Sequence, residues 1–79
     1  MEKLTLDYPI EIDSQQVLEL EMRRPTVGDY LAMDKMSGSD AEKELKLMAS
    51  LCQQSPDDLM NLDMGDYLKL QEKLKSFSS

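Results

Sequence analysis

Apolar and polar residues alternate along the start of the chain. Between residues 4 and 12 the apolar positions are Leu4, Leu6, Tyr8, Ile10 and Ile12. This period of two predicts a strand with one buried and one solvated face. Pro9 lies within the segment and cannot donate to a ladder, so we expect an edge strand or a bulge there.

A second alternation follows a short polar segment, Asp13-Ser14-Gln15, which has turn chemistry. Leu18, Leu20 and Met22 then alternate with polar residues. Together the two segments predict an antiparallel hairpin over about residues 3–24. An isolated hairpin is only marginally stable in water, so its apolar face needs a cover.

Helix-start signals recur in the rest of the chain. Thr26 and Asp29 have the spacing of a capping box, as do Ser39 and Glu42. Further starts lie at Ser55, which precedes a proline and two acids, and near residue 63. The prediction is a single α+β domain, residues 1–79, in which the N-terminal β-hairpin precedes three to four short α-helices over about residues 26–77. The last helix is expected to bury Tyr67, Leu70, Leu74 and Phe77.

The helix expected after Ser39 has an unusually wide apolar surface. Its core stripe comprises Ala41, Leu45, Met48 and Cys52. Leu47 and Leu51 widen this stripe to about half of the circumference, which is more than one neighbouring element requires. The excess predicts a surface for a partner.

Seven methionines are many for 79 residues. Methionine is flexible, so exposed methionines would form an apolar surface that accepts several sequences, whereas buried ones would fill an imperfect core. Both interpretations stay open at this point. The candidate partner-binding residues are Leu47, Met48, Leu51, Met60 and Met64.

Nine basic and sixteen acidic residues give a net charge of −7. Such a chain repels nucleic-acid phosphates and anionic membrane surfaces, so neither is an expected partner. A DNA mimic would need a dense face of carboxylates, whereas lysines interleave with the acids here. In so small a domain the core is thin, and self-association or a partner would add stability.

Catalytic chemistry is poorly represented. The sequence has no histidine, which removes the commonest general base and metal ligand. Cys52 is the single cysteine and lies on an apolar stripe, which favours a buried thiol and a reducing compartment. The acid pairs Asp57-Asp58 and Asp63 with Asp66 lack the spacing of a calcium loop and are explained as helix caps. We expect no enzymatic activity and no cofactor.

Three stretches of the chain resemble the tail assembly chaperones of Mu-like and related contractile-tailed bacteriophages and prophages. The most specific is the segment between the hairpin and the helices. The stretches are Leu6-Asp7-Tyr8-Pro9-Ile10, Met22-Arg23-Arg24-Pro25-Thr26-Val27-Gly28-Asp29-Tyr30, and the pattern from Leu51-Cys52 through Pro56-Asp57-Asp58-Leu59 to Asp66-Tyr67-Leu68-Lys69-Leu70-Gln71.

The resemblance implies a protein of the host bacterial cytoplasm that is absent from the mature virion. Its implied partners are the tape measure protein, which it keeps soluble, and the tail tube protein that polymerises around it. Two other functions remain open. One is a small structural subunit of the tail, and the other is an acidic adaptor or inhibitor of a host protein.

Overall fold

The computed structural model describes residues 2–77 of the chain. A two-stranded antiparallel hairpin precedes the helices, so the predicted α+β architecture is confirmed. The elements in chain order are β1 (Glu2–Ile12), β2 (Gln15–Met22), α1 (Val27–Asp34), α2 (Asp40–Cys52), α3 (Pro56–Leu59) and α4 (Met64–Ser76).

The hairpin turn consists of two residues. Asp13 and Ser14 have φ values of 52° and 66°, and Ile12 pairs directly with Gln15. Two successive left-handed residues are typical of a type I′ turn, whose twist matches that of the strands it joins. The predicted turn is therefore confirmed, although Gln15 already belongs to β2.

A bulge interrupts β1 at its centre. Regular pairing ends at Thr5 opposite Glu19 and resumes at Ile10 opposite Val17. Residues 6–9, which include Pro9, thus lie opposite a single residue of β2, and the predicted irregularity at Pro9 is confirmed.

The bulge also changes which side chains are buried. It adds three residues to β1 relative to β2. Because this number is odd, the residues of β2 that share a face with the core residues of β1 change from one side of the bulge to the other. Val17, rather than Leu18, packs against the core next to Ile10. Tyr8 and Leu18 are exposed, so the prediction that they share the buried face is wrong.

A buried carboxylate binds the backbone of the bulge. Asp66 is only 1% exposed, and its two oxygens accept hydrogen bonds from the backbone N–H groups of Asp7 and Tyr8, both at 3.0 Å. Lys69 Nζ lies 3.4 Å from Asp66 Oδ1 and 2.6 Å from Asp7 Oδ2. The side chain of Asp66 therefore joins α4 to β1, whereas the sequence-based prediction made it a helix cap.

The N-cap of α4 is Asp63, since its Oδ2 accepts a hydrogen bond from the Gly65 N–H at 2.9 Å.

The surroundings of Asp66 favour its charged form. Burial raises the pKa of this carboxyl, but the hydrogen bonds from Asp7, Tyr8 and Lys69 outweigh burial and lower the pKa below its ordinary value. The folded state therefore holds Asp66 as a carboxylate.

Helix α2 is the central element of the core. It packs against α1, α3 and β2, and the backbone N–H of Arg23 donates to the Leu51 carbonyl at 3.0 Å. These several neighbours explain the wide apolar arc. Cys52 is buried, as predicted, and burial raises the pKa of its thiol to about 11. Ala41, expected in the core stripe, is exposed.

The helix caps predicted at Thr26, Ser39 and Ser55 are confirmed. Thr26 with Asp29 and Ser39 with Glu42 form reciprocal capping boxes, and Ser55 caps α3 ahead of its proline. Helix α2 ends at Cys52 and is followed by Gln53, its C-cap, which is in the left-handed conformation with φ of 57°. Helix α4 buries Leu70, and Tyr67, Leu74 and Phe77 pack against the core as expected.

Replacement of Asp66 by asparagine tests the link between bulge and α4. An amide offers one acceptor oxygen instead of two for the two backbone N–H groups, and it removes one of the two carboxylates that contact Lys69. We therefore expect the free energy of unfolding to fall by about 2–4 kcal/mol. Urea denaturation measures it. Asp63→Asn is the matched control, because asparagine caps a helix equally well, and it should cost less than about 1 kcal/mol. Equal losses in both variants would contradict the assignment.

The same carboxylate predicts a pH dependence. Its folded pKa is below the unfolded value of about 3.9, so its contribution is present above about pH 4 and is lost as the pH falls through the folded pKa. The stability difference between the natural chain and Asp66→Asn should therefore shrink in acid. Urea titrations at a series of pH values measure this difference, and a constant difference down to pH of about 2 would be evidence against the charged form.

The buried arc of α2 predicts a large effect at Leu51. Its side chain is fully buried, so Leu51→Ala should lower the free energy of unfolding by about 2–5 kcal/mol. Met64→Ala, at an exposed position, should change it by no more than about 0.5 kcal/mol. Thermal and urea denaturation of both variants compare the two sites, and similar values would show that α2 is not the centre of the core.

Candidate functional site

The five candidate partner-binding residues fall into two groups. Met48 and Leu51 are fully buried, and Leu47 is 8% exposed. Met60 and Met64 are 68% and 63% exposed. The structure therefore corrects the sequence-based interpretation, because the excess arc at residues 47, 48 and 51 is covered by the protein's own elements. Partner binding by any of the five stays a prediction.

Met60 and Met64 lie together at one apolar surface, which we call the α3 patch. It surrounds a shallow cleft of about 310 Å³ between α2, α3 and the start of α4. The tyrosine at its edge is fixed, because Tyr67 donates its hydroxyl to Glu44 Oε1 at 2.9 Å. The cleft is lined by Ala41, Leu45, Leu59, Met60, Leu62, Met64 and Tyr67.

Helix α1 presents a second apolar surface that the sequence-based site did not include. None of its residues is buried, and Val27, Tyr30 and Leu31 are 75%, 64% and 53% exposed. Met33 is the residue of α1 that packs against the core. The spacing of these three residues, i, i+3 and i+4, places them on one face of a helix, but spacing gives no sign of whether that face is covered.

Polar contacts hold the start of α1 in place. Arg23 forms a bidentate pair with Asp29, with N–O distances of 2.7 and 2.8 Å. The Thr26 N–H donates to Asp29 at 2.8 Å, and the Asp29 N–H donates to the Thr26 hydroxyl at 3.3 Å. The Arg23 hydrogen bonds, followed by those from Thr26, hold the pKa of Asp29 well below its ordinary value. The orientation of α1 therefore does not depend on its exposed apolar side chains.

Two adjoining clefts form a groove beside α1, which we call the α1 groove. Their volumes are about 360 and 410 Å³. Leu47 and Leu74 belong to both clefts, so the side of Leu47 that remains accessible contributes to the groove floor. Val27 and Tyr30 belong to its wall on α1. The residues common to both clefts are Tyr30, Met33, Leu47 and Leu74.

The two ends of the α1 groove differ in charge. Asp34, Asp40 and Glu44 line one end together with a single cation, Lys43. At the other end the Phe77 ring lies beneath the Arg24 guanidinium, 5.5 Å from it, and Arg24 also donates to the Phe77 carbonyl at 2.9 Å. The acidic end has an excess of two negative charges over its lysine, which attracts a cationic group.

Two kinds of structural feature are absent from residues 2–77, a metal-ligand cluster and a membrane-spanning helix. Among residues 2–77 no three acidic, cysteine or histidine side chains are placed to hold a metal ion together. Within the same range no helix combines the length and the apolar character that crossing a bilayer requires. The candidate functional surfaces are the α1 groove and the α3 patch, whose exposed apolar side chains are suited to contact with another protein.

Comparison with known proteins assigns the chain to a family. No curated protein and no solved structure matches the chain significantly. The family model described as phage tail assembly chaperone proteins, E, or 41 or 14, matches residues 3–79 and thus spans hairpin and helices alike. The resemblance drawn from the sequence is confirmed: the chain belongs to the phage tail assembly chaperone family.

Proposed function

We propose that this protein binds the tape measure protein of its phage and keeps it soluble until the tail tube encloses it. Membership of the tail assembly chaperone family supports a role in tail assembly. The observation that supports client binding is the exposed apolar face of α1, which lies next to the apolar floor of the α1 groove. A chaperone needs such a face, because its client presents apolar surface before assembly.

The charge of the chain fits this function. A tape measure protein is a long helical chain whose apolar segments stay exposed until the tube surrounds them, and such surfaces aggregate. A bound partner of net charge −7 covers apolar surface and adds repulsion between complexes. Both effects keep the client dispersed.

The proposal extends to location and fate. The chaperone acts by binding alone, without catalysis, in the cytoplasm of the host bacterium, where the tail is built. It also contacts the tail tube protein as the tube polymerises, and it leaves before the virion is complete. A structural tail subunit, by contrast, would remain in purified particles.

Co-expression with the tape measure protein tests the proposal. The tape measure protein alone should be found mostly in the insoluble fraction, and co-expression with the natural chain should move most of it to the soluble fraction as a complex. Gel quantification of both fractions and co-purification measure this. Leu51→Asp is the control, since a charge at this buried position prevents folding, and it should not rescue the client.

Two results would contradict the proposal. One is a tape measure protein whose solubility and elution are the same with and without the natural chain. The other is mass spectrometry that finds the chain in purified virions at the copy number of a structural subunit, which would make it a component of the tail.

A further inference from the structure

We infer that the α1 groove is the client site and that its occupant is an amphipathic helix with an apolar stripe of two to three turns and lysine or arginine residues at one end. The inference rests on the proposed function, whose client it describes. It follows from the dimensions of the groove, from the way α1 is held, and from the charges around the groove.

The dimensions suit a short helical segment. Helix α1 has eight residues and is therefore about 12 Å long, which corresponds to two to three turns of a helix lying alongside it. Apolar side chains at i, i+4 and i+7 of the occupant would then fall along the floor formed by Leu47 and Leu74. Packing against Val27 and Tyr30 would cover the wall that the isolated chain leaves exposed.

The fold does not account for the apolar wall. Arg23, Thr26 and Asp29 fix the start of α1 through polar contacts, and Met33 connects the helix to the core. Val27 and Tyr30 are mostly exposed, so their burial is not what stabilises the chain. Exposed apolar groups next to a preformed groove are typical of a docking surface.

Charge selects the kind of helix. The acidic end of the α1 groove has three carboxylates and one lysine, and the whole chain has a net charge of −7. An acidic segment would be repelled there, whereas lysine or arginine side chains would pair with Asp34 and Asp40. The groove therefore favours a client helix with a cationic end. Its apolar floor accepts several different sequences along the apolar stripe of that helix.

The α3 patch is the alternative surface on the same molecule. It is also apolar, but its cleft of about 310 Å³ is smaller than either cleft of the α1 groove. Its exposed methionines lie at the end of α3, a helix of only four residues, and at the start of α4. Its apolar lining is divided among α2, α3 and the start of α4, whereas Val27 and Tyr30 of the α1 groove belong to one helix.

The test compares matched double variants of the full chain. Val27→Ser with Tyr30→Ser removes the apolar wall, and Met60→Ser with Met64→Ser removes a similar exposed area from the α3 patch. The probe is the purified tape measure protein, or the largest soluble fragment of it, and binding is measured by calorimetry. We expect the first variant to weaken binding at least about tenfold and the second to change it less than about twofold.

Further variants separate folding from binding and test charge. Thermal unfolding followed by circular dichroism should be unchanged for both double variants. Tyr30→Glu changes an exposed position and should weaken binding as strongly as the double groove variant. Asp34→Asn with Asp40→Asn should weaken binding and reduce its dependence on salt, because two charges that pair with the cationic end are removed.

The outcomes distinguish this inference from the proposed function. If the natural chain binds and the groove variants bind equally well, or if only the α3 patch variant loses binding, the groove is the wrong site although the function stands. If the groove variants alter only self-association, as seen by light scattering, the groove joins copies of this chain and the inference fails. If the natural chain binds no tape measure protein, both the inference and the proposed function fail.

Discussion

The carboxylate of Asp66 is the interaction on which the arrangement of this fold depends. The bulge in β1 turns two backbone N–H groups away from the ladder, and a buried N–H without an acceptor is costly. Asp66 accepts both, so α4 is fixed against β1, while the backbone bond from Arg23 to Leu51 fixes α2 against the end of β2. The hairpin thus contacts both long helices, and the core forms among these elements.

Helix α1 lies outside that arrangement. Its start is held by an ion pair and a capping box, Met33 packs against the core, and its remaining apolar side chains stay accessible. A short chain has little apolar area with which to stabilise itself, so three exposed apolar residues on one helix are a cost for the isolated protein. The proposed function accounts for this cost at Val27 and Tyr30, which a client in the groove would cover, and the net charge of −7 opposes aggregation of the uncovered chain.

Local features of this fold were predictable from sequence, and long-range ones were not. Capping at Thr26, Ser39 and Ser55 depends on residues three positions away, and the bulge was signalled by Pro9 alone. The role of Asp66 depends on backbone groups 58 and 59 residues away, which no spacing rule reveals. Periodicity also reports how wide an apolar arc is but not what covers it. Hence the arc at Leu51 was assigned to a partner although α2 has several internal neighbours, and the exposed face of α1 was missed as a site.

The central claim is that a client helix covers the apolar wall of α1. Methyl NMR with a soluble paramagnetic probe measures the exposure of each side chain directly, in the free chain and in its complex with the tape measure protein. The account predicts that the methyl groups of Val27 are strongly relaxed in the free chain and protected in the complex, while those of Met60 and Met64 stay exposed. Protection of the two methionines with no change on α1 would contradict it.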